Sequence, residues 1–160
     1  GCRGVNMHSG GSGPGYTPIA ERNGTVVEAR PEFYGMLLFS RGAEGTPMNS
    51  TLEPAPAINL SAWGVRRPDG GLNAILVNKD AGRAANMRLS VSGLTAATRF
   101  DPLWLRGTSL DAPVGQTLGE VAVTREGGWS PVAQPALAAG NGSVLTVLVP
   151  PASAVLLRSL

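Results

Sequence analysis

The 160-residue chain carries 42% hydrophobic and 15% charged residues at a net charge of +2, enough apolar material for one domain with a core of its own. Its 13 basic residues are scattered, with only Arg66 and Arg67 adjacent, so no run tracks a phosphate backbone and nucleic acid is not an expected partner. One cysteine, Cys2, leaves no internal disulfide framework, one histidine, His8, leaves no Cys/His cluster with metal-ligand spacing, and no apolar run reaches the roughly 20 residues that cross a bilayer, so no metal, cofactor or membrane is expected.

In chain order, residues 3 to 8 read as a short strand that runs into the glycine-rich loop Gly10-Gly11-Ser12-Gly13-Pro14-Gly15 and ends on Tyr16. A strand end followed by a backbone-exposing loop is where parallel α/β barrels build their sites. Glycines let main-chain N–H groups approach a carboxylate or hydroxyl, and Tyr16 adds a hydrogen bond and a stacking face. A plain Gly/Ser connection with an incidental tyrosine explains the stretch equally well. Phosphate-loop and dinucleotide spacings are absent, and His8-Ser9-Gly10-Gly11 lacks the nucleophile elbow and second histidine of an esterase.

Arg30-Pro31 opens an expected helix that runs to about Arg41, with proline at the first helical position and Gly42 as its stop. Phe33, Tyr34, Met36, Leu37, Leu38 and Phe39 place apolar groups around most of the cylinder, so burial on several sides is expected. Residues 44–56, with Pro47, Pro54 and Pro56, read as a linker. Beyond it, Ala57 to Arg67 and Leu72 to Lys79 read as a hairpin around Pro68-Asp69-Gly70-Gly71. Ala85 to Val91 alternates, with Met87, Leu89 and Val91 on one face. Further strands are expected at Arg99 to Leu105, Glu120 to Thr124, Ser143 to Val149 and Ala152 to Leu157.

Short strands with frequent turns make the fold class all-β, an antiparallel β-sandwich over 57–160. Residues 1–43 form a strand, loop and helix that cannot make a domain alone. No two carboxylates stand out as a facing catalytic pair: Glu21, Glu28, Glu44, Glu53, Asp69, Asp80 and Asp111 fall in apparent turns or loops, and Glu32 suits the first turn of the helix. Trp63 and Trp104 read as packed within strands, and Trp129, after Gly127-Gly128, as the exposed tryptophan.

Gly4-Val5-Asn6-Met7-His8 with Gly10-Gly11, then Tyr16-Thr17-Pro18-Ile19 and Arg30-Pro31-Glu32-Phe33-Tyr34-Gly35-Met36-Leu37-Leu38-Phe39, resemble the last strand, loop and helix of the catalytic barrel in glycoside hydrolase family 79, the β-glucuronidase and heparanase-like enzymes. Leu76-Val77-Asn78-Lys79-Asp80 and Val149-Pro150-Pro151-Ala152-Ser153-Ala154 are similar to segments of that family's C-terminal sandwich. The resemblance implies that residues 1–43 are the end of a (β/α)8 barrel, and that Tyr16 with Gly13 and Gly15 recognises the carboxylate of a glucuronide, with His8 and Asn6 beside it. It implies that the catalytic glutamates lie on earlier barrel strands, so this chain alone is expected to hydrolyse nothing. Its expected partners are a glucuronide-type carbohydrate and the missing barrel, and the whole enzyme is expected outside the cytoplasm, extracellular or periplasmic. The competing reading is a free-standing carbohydrate-binding or cell-surface sandwich module.

Overall fold

The computed structural model describes residues 6, 17–53, 58–140 and 143–160. In chain order the elements are β1 (Ile19–Arg22), β2 (Thr25–Ala29), α1 (Pro31–Gly42), β3 (Thr46–Met48), β4 (Leu60–Arg66), β5 (Leu72–Asn78), β6 (Ala85–Ser90), β7 (Arg99–Arg106), β8 (Thr117–Leu118), β9 (Leu137–Ala138), β10 (Val144–Val149) and β11 (Ser153–Ser159). The large sheet runs β3-β4-β5-β11-β7-β8, with β9 also on β7; β10 pairs with β6 in a second sheet and β1 with β2 in a third. All these pairings are antiparallel.

β5 and β11 lack the alternation of a half-buried strand because the large sheet is a middle layer. From β5, Leu72, Ala74 and Leu76 face β6 and β10, where they meet Met87, Leu145, Val147 and Val149 in the inner core with Phe100, Val155 and Leu157. Ile75 on β5 and Ala154 and Leu156 on β11 face the other way, onto Tyr34 and Leu38 of α1. Each of the fully buried aliphatic side chains contributes roughly 1.5–3 kcal/mol through removal from water. β6 alternates as its sequence predicts, with Ala85 and Met87 buried and Asn86 and Arg88 exposed, because water covers its other face. Pro102 sits in β7 between the pairings with β9 and β8, where the strand has a partner on one side only.

The helix starts on Pro31, carries Glu32 in its first turn and Arg41 in its last, and ends at Gly42 as expected. Its burial differs from the expectation: within this chain Tyr34, Leu38 and Gly42 form one buried stripe at i, i+4 and i+8, while Met36 and Phe39 are exposed. The Tyr34 hydroxyl accepts a hydrogen bond from the Val123 N–H at 3.0 Å. At Gly42 the helix comes so close to the sheet that a Cβ would stand 2.8 Å from Ile75 Cδ1. Asn73, almost fully buried, donates from Nδ2 to the Gly42 carbonyl at 3.1 Å and accepts from Arg67 Nη1 at 3.3 Å. It satisfies a helix-end carbonyl that the helix itself leaves unpaired. Asn73→Ala is therefore expected to lower stability by about 1–3 kcal/mol in urea unfolding, with faster amide exchange in the last turn of α1; unchanged unfolding would contradict that role.

Three further departures have local causes. Asn23 (φ 51°) and Gly24 (φ 75°) close a two-residue turn between β1 and β2, a hairpin the sequence signals as Asn-Gly. Thr46–Met48, inside the segment read as a linker, pairs with β4 as a strand of the large sheet. Glu120 to Thr124 is not a strand: Gly119 (φ 62°) and Glu120 (φ 65°) reverse the chain so that the Leu118 N–H donates to the Val121 carbonyl at 3.0 Å. Gly119 is required there by space as well, since a Cβ would collide with Pro131.

Candidate functional site

Of the residues predicted to hold a ligand, His8, Gly13, Gly15 and Tyr16 lie outside the described residues, as does most of the expected strand at 3 to 8. Asn6 is exposed and belongs to no regular element. The segment that leaves the loop is described and is held firmly. Thr17 Oγ1 accepts from Arg30 Nη1 at 2.6 Å and donates to the Ile19 carbonyl at 2.9 Å. Arg30 Nη1 also reaches the Thr17 carbonyl at 3.3 Å, and the Arg30 N–H donates to the Pro18 carbonyl at 2.9 Å. Arg30 is the N-cap residue of α1, so position 17 is tied to the start of the helix one residue after Tyr16. Sequence reading missed this clamp. Its signal was Asn23-Gly24, because a two-residue turn there folds Ile19 onto Ala29 and brings Pro18 to Arg30.

The aspartates with lowered pKa owe it to their own turns. Asp80 is pulled down to about 2 by the Arg83 side chain, with Nη2 2.6 Å from Oδ2, and then by the N–H groups of Gly82 and Arg83. Asp69 is lowered first by Arg67 and then by the Gly71 N–H, and Asp111 first by the Ser109 hydroxyl. Each charge braces a loop. Because the Asp80 value falls on folding, its contribution is complete above about pH 4 and is lost as pH drops from there toward about 2. Asp80→Asn is expected to flatten the acid limb of a stability-versus-pH curve in that window; an identical acid limb in the variant would refute the assignment.

The tryptophans are arranged differently from their expected exposure. Trp129 donates from Nε1 to the Leu118 carbonyl at 2.9 Å, lies under the Arg41 guanidinium at 5.1 Å and packs on the helix-side core. The expectation that it is the exposed tryptophan is corrected by these contacts. Trp104 packs on the inner core under Arg106, 4.7 Å from the ring centroid, and Arg106 pairs with Glu120 at 3.0 Å. Trp63 is the exposed one, at 54%. It stands opposite Ile75 in the register of β4 and β5, so it shares the sheet face that carries α1. That face therefore presents Trp63 together with Phe39, 66% exposed, and Met36.

On the opposite face a cleft of about 820 Å³ opens between β6 and the segment Met48 to Glu53, floored by Leu60, Ala62, Leu72 and Leu76. Among the described residues no group of three or more His, Cys, Asp or Glu side chains is placed to hold a metal ion.

No family model and no curated protein sequence matches the chain. Solved structures share its fold. An arabinofuranosidase structure matches with a TM-score of 0.66 at 14% identity, over 90% of this chain and 31% of that one. The GH51 arabinofuranosidase from Xanthomonas axonopodis pv. citri matches at 0.58 and 18%, over 90% and 29%. The catalytic domain of GH30 xylanase C from Talaromyces cellulolyticus matches at 0.56 and 15%, over 90% and 27%. The likeness is one of fold, to a part of each glycoside hydrolase structure, and this chain spans less than a third of their lengths.

Proposed function

We propose that residues 1–160 are the non-catalytic, sandwich-bearing part of a larger retaining glycoside hydrolase, attached through residues 1–43 to a catalytic barrel that supplies the glutamates. The observation that carries this reading is the mismatch in coverage, 90% of this chain against 27–31% of the glycoside hydrolase chains it resembles. The exposed apolar residues on the α1 side support it, since Met36, Phe39 and Trp63 suit a surface meant to be covered.

Within that enzyme the glycine-rich loop forms one wall of the sugar site, and the substrate is a β-glucuronide. The Tyr16 hydroxyl and the main-chain N–H groups from Gly13 to Gly15 hold the uronate carboxylate, with His8 and Asn6 as further contacts. The clamp between Arg30 and Thr17 ties position 17, the residue after Tyr16, to the start of α1. A second reading, favoured by the printed names of the similar structures, is an arabinofuranoside or xylan as substrate with the loop binding neutral hydroxyls.

The test is a panel of aryl β-glucuronide, α-L-arabinofuranoside and β-xyloside with the whole polypeptide and with residues 1–160 alone. The whole polypeptide is expected to cleave the glucuronide, Tyr16→Phe to raise KM for it more than it lowers kcat, and the 160-residue chain to match a boiled control. Cleavage of the arabinofuranoside or xyloside in its place discards the uronate reading and keeps the glycosidase; turnover by the 160-residue chain, or none by the whole polypeptide, overturns both.

A further inference from the structure

Among the described residues β1 and β2 pair only with each other, so their hairpin is a sheet of two short strands joined by the two-residue turn Asn23-Gly24. Two strands alone hold each other weakly, and the pairing nearest the turn opens first. Asn23, Gly24 and Thr25 are exposed, and a Cβ placed on Gly24 would meet nothing within 4 Å among the described residues.

An asparagine followed by glycine carries an electrophile and a nucleophile in one dipeptide. The glycine nitrogen reaches the side-chain amide carbon of the asparagine, and glycine has no Cβ to obstruct the attack. The slow part is removal of a proton from an amide nitrogen, which water does poorly. Here the Gly24 N–H donates to Glu21 Oε1 at 3.1 Å, so the proton that must leave already points at a carboxylate.

We propose that Asn23 is a site of spontaneous deamidation, with Glu21 as its general base. When the hairpin tip opens, the Gly24 nitrogen passes its proton to Glu21 and bonds to the Asn23 side-chain amide carbon. The bond from that carbon to the side-chain nitrogen breaks, and the nitrogen leaves as ammonia, taking the proton back from Glu21. The product is a five-membered succinimide. Water then adds to either of its two carbonyls and gives aspartate or, with the chain rerouted through the side chain, isoaspartate; water is the only co-reactant. Isoaspartate adds one backbone atom to a turn that sets the register from Ile19 opposite Ala29 to Arg22 opposite Thr25. The lengthened turn loses that register, and with it the bond from the Arg30 N–H to the Pro18 carbonyl and the clamp of Arg30 on Thr17. Thr17 follows Tyr16, so conversion loosens the sugar site with age; this last step rests on the proposed function, and the chemistry at Asn23 does not.

Ageing of the whole polypeptide at neutral pH, followed by peptide mapping in which an isoaspartyl methyltransferase tells isoaspartate from aspartate, tests it. Isoaspartate is expected to accumulate at position 23, and the Arg30 amide to exchange faster in the converted fraction. Glu21→Gln keeps an acceptor for the Gly24 N–H and removes the base. Conversion at position 23 is expected to slow by roughly tenfold in this variant, short of the full effect of a positioned base because hydroxide from solvent takes the same proton. Asn141-Gly142, the chain's other Asn-Gly pair, is expected to convert at the same rate in both proteins and is the internal reference. Absence of isoaspartate at position 23 overturns the site. An equal rate there in Glu21→Gln overturns the base, and a faster rate does so by showing that the carboxylate only locks the turn. Unchanged Arg30 exchange after conversion overturns the link to the clamp. Faster exchange with an unchanged KM for the aryl glycoside that the polypeptide cleaves removes the ligand role of the loop and leaves the modification standing.

Discussion

Phe100→Ala is expected to remove about 3–5 kcal/mol of stability, a large share of the 5–15 kcal/mol that holds a domain together. The ring is fully buried in the inner core with Val155 and Leu157, and its backbone stands between Ser159 on β11 and Leu137 on β9. Truncation leaves a cavity that packed neighbours from two sheets cannot close. It also removes the surface on which Leu137 packs, and β9 has only two residues with which to hold its place. Phe100→Leu keeps most of the volume and is expected to cost less than about 1.5 kcal/mol. Urea unfolding of both variants gives the comparison, and a loss under about 1 kcal/mol for the alanine variant would contradict the assignment of Phe100 to a closed core.

Phe39→Asp is expected to have very different consequences in two settings. In the 160-residue chain the side chain is exposed, so stability should stay within about 0.5 kcal/mol of the parent, and binding of an apolar dye should fall as the exposed ring one turn from Met36 is lost. In the whole polypeptide the proposed function sets the same aspartate against a catalytic barrel, which gives an expected cost of about 2–4 kcal/mol and a loss of glycosidase activity. Calorimetry and dye fluorescence on the two proteins give the four values. A stability change of the same small size in both would mean that α1 does not meet a second body.

The central strands and the helix were legible because their causes are local. Leu72 to Lys79 reads as apolar on both faces because both faces are buried, Met87 and Leu89 keep period two because β6 has a wet face, and Pro31 and Gly42 punctuate α1. The reversal at Gly119-Glu120 was not legible as such, because Glu120 to Val123 carries a strand-like alternation and the reason for the glycine is Pro131, a residue brought there by the fold. Trp129 misled for the same reason: Gly127-Gly128 marked a loop, and the loop returns its indole to Leu118 and Arg41 from distant elements. Apolar groups around most of α1 were plain in the sequence, and only the packed sheet divides them into a seat of Tyr34 and Leu38 and a free side of Met36 and Phe39. Of the ligand loop, the structure adds the anchor between Thr17 and Arg30; the chemistry assigned to Tyr16 and its glycines rests on residue type.

Side-chain footprinting by hydroxyl radicals, read by mass spectrometry on residues 1–160 and on the whole polypeptide, tests most directly whether this chain is the supporting part of a larger glycosidase. Met36, Phe39 and Trp63 are expected to be labelled in the 160-residue chain and protected in the whole polypeptide, while Leu110, exposed in the loop after β7, serves as the reference for general reactivity. Equal labelling of Met36, Phe39 and Trp63 in the two proteins would contradict the docked arrangement.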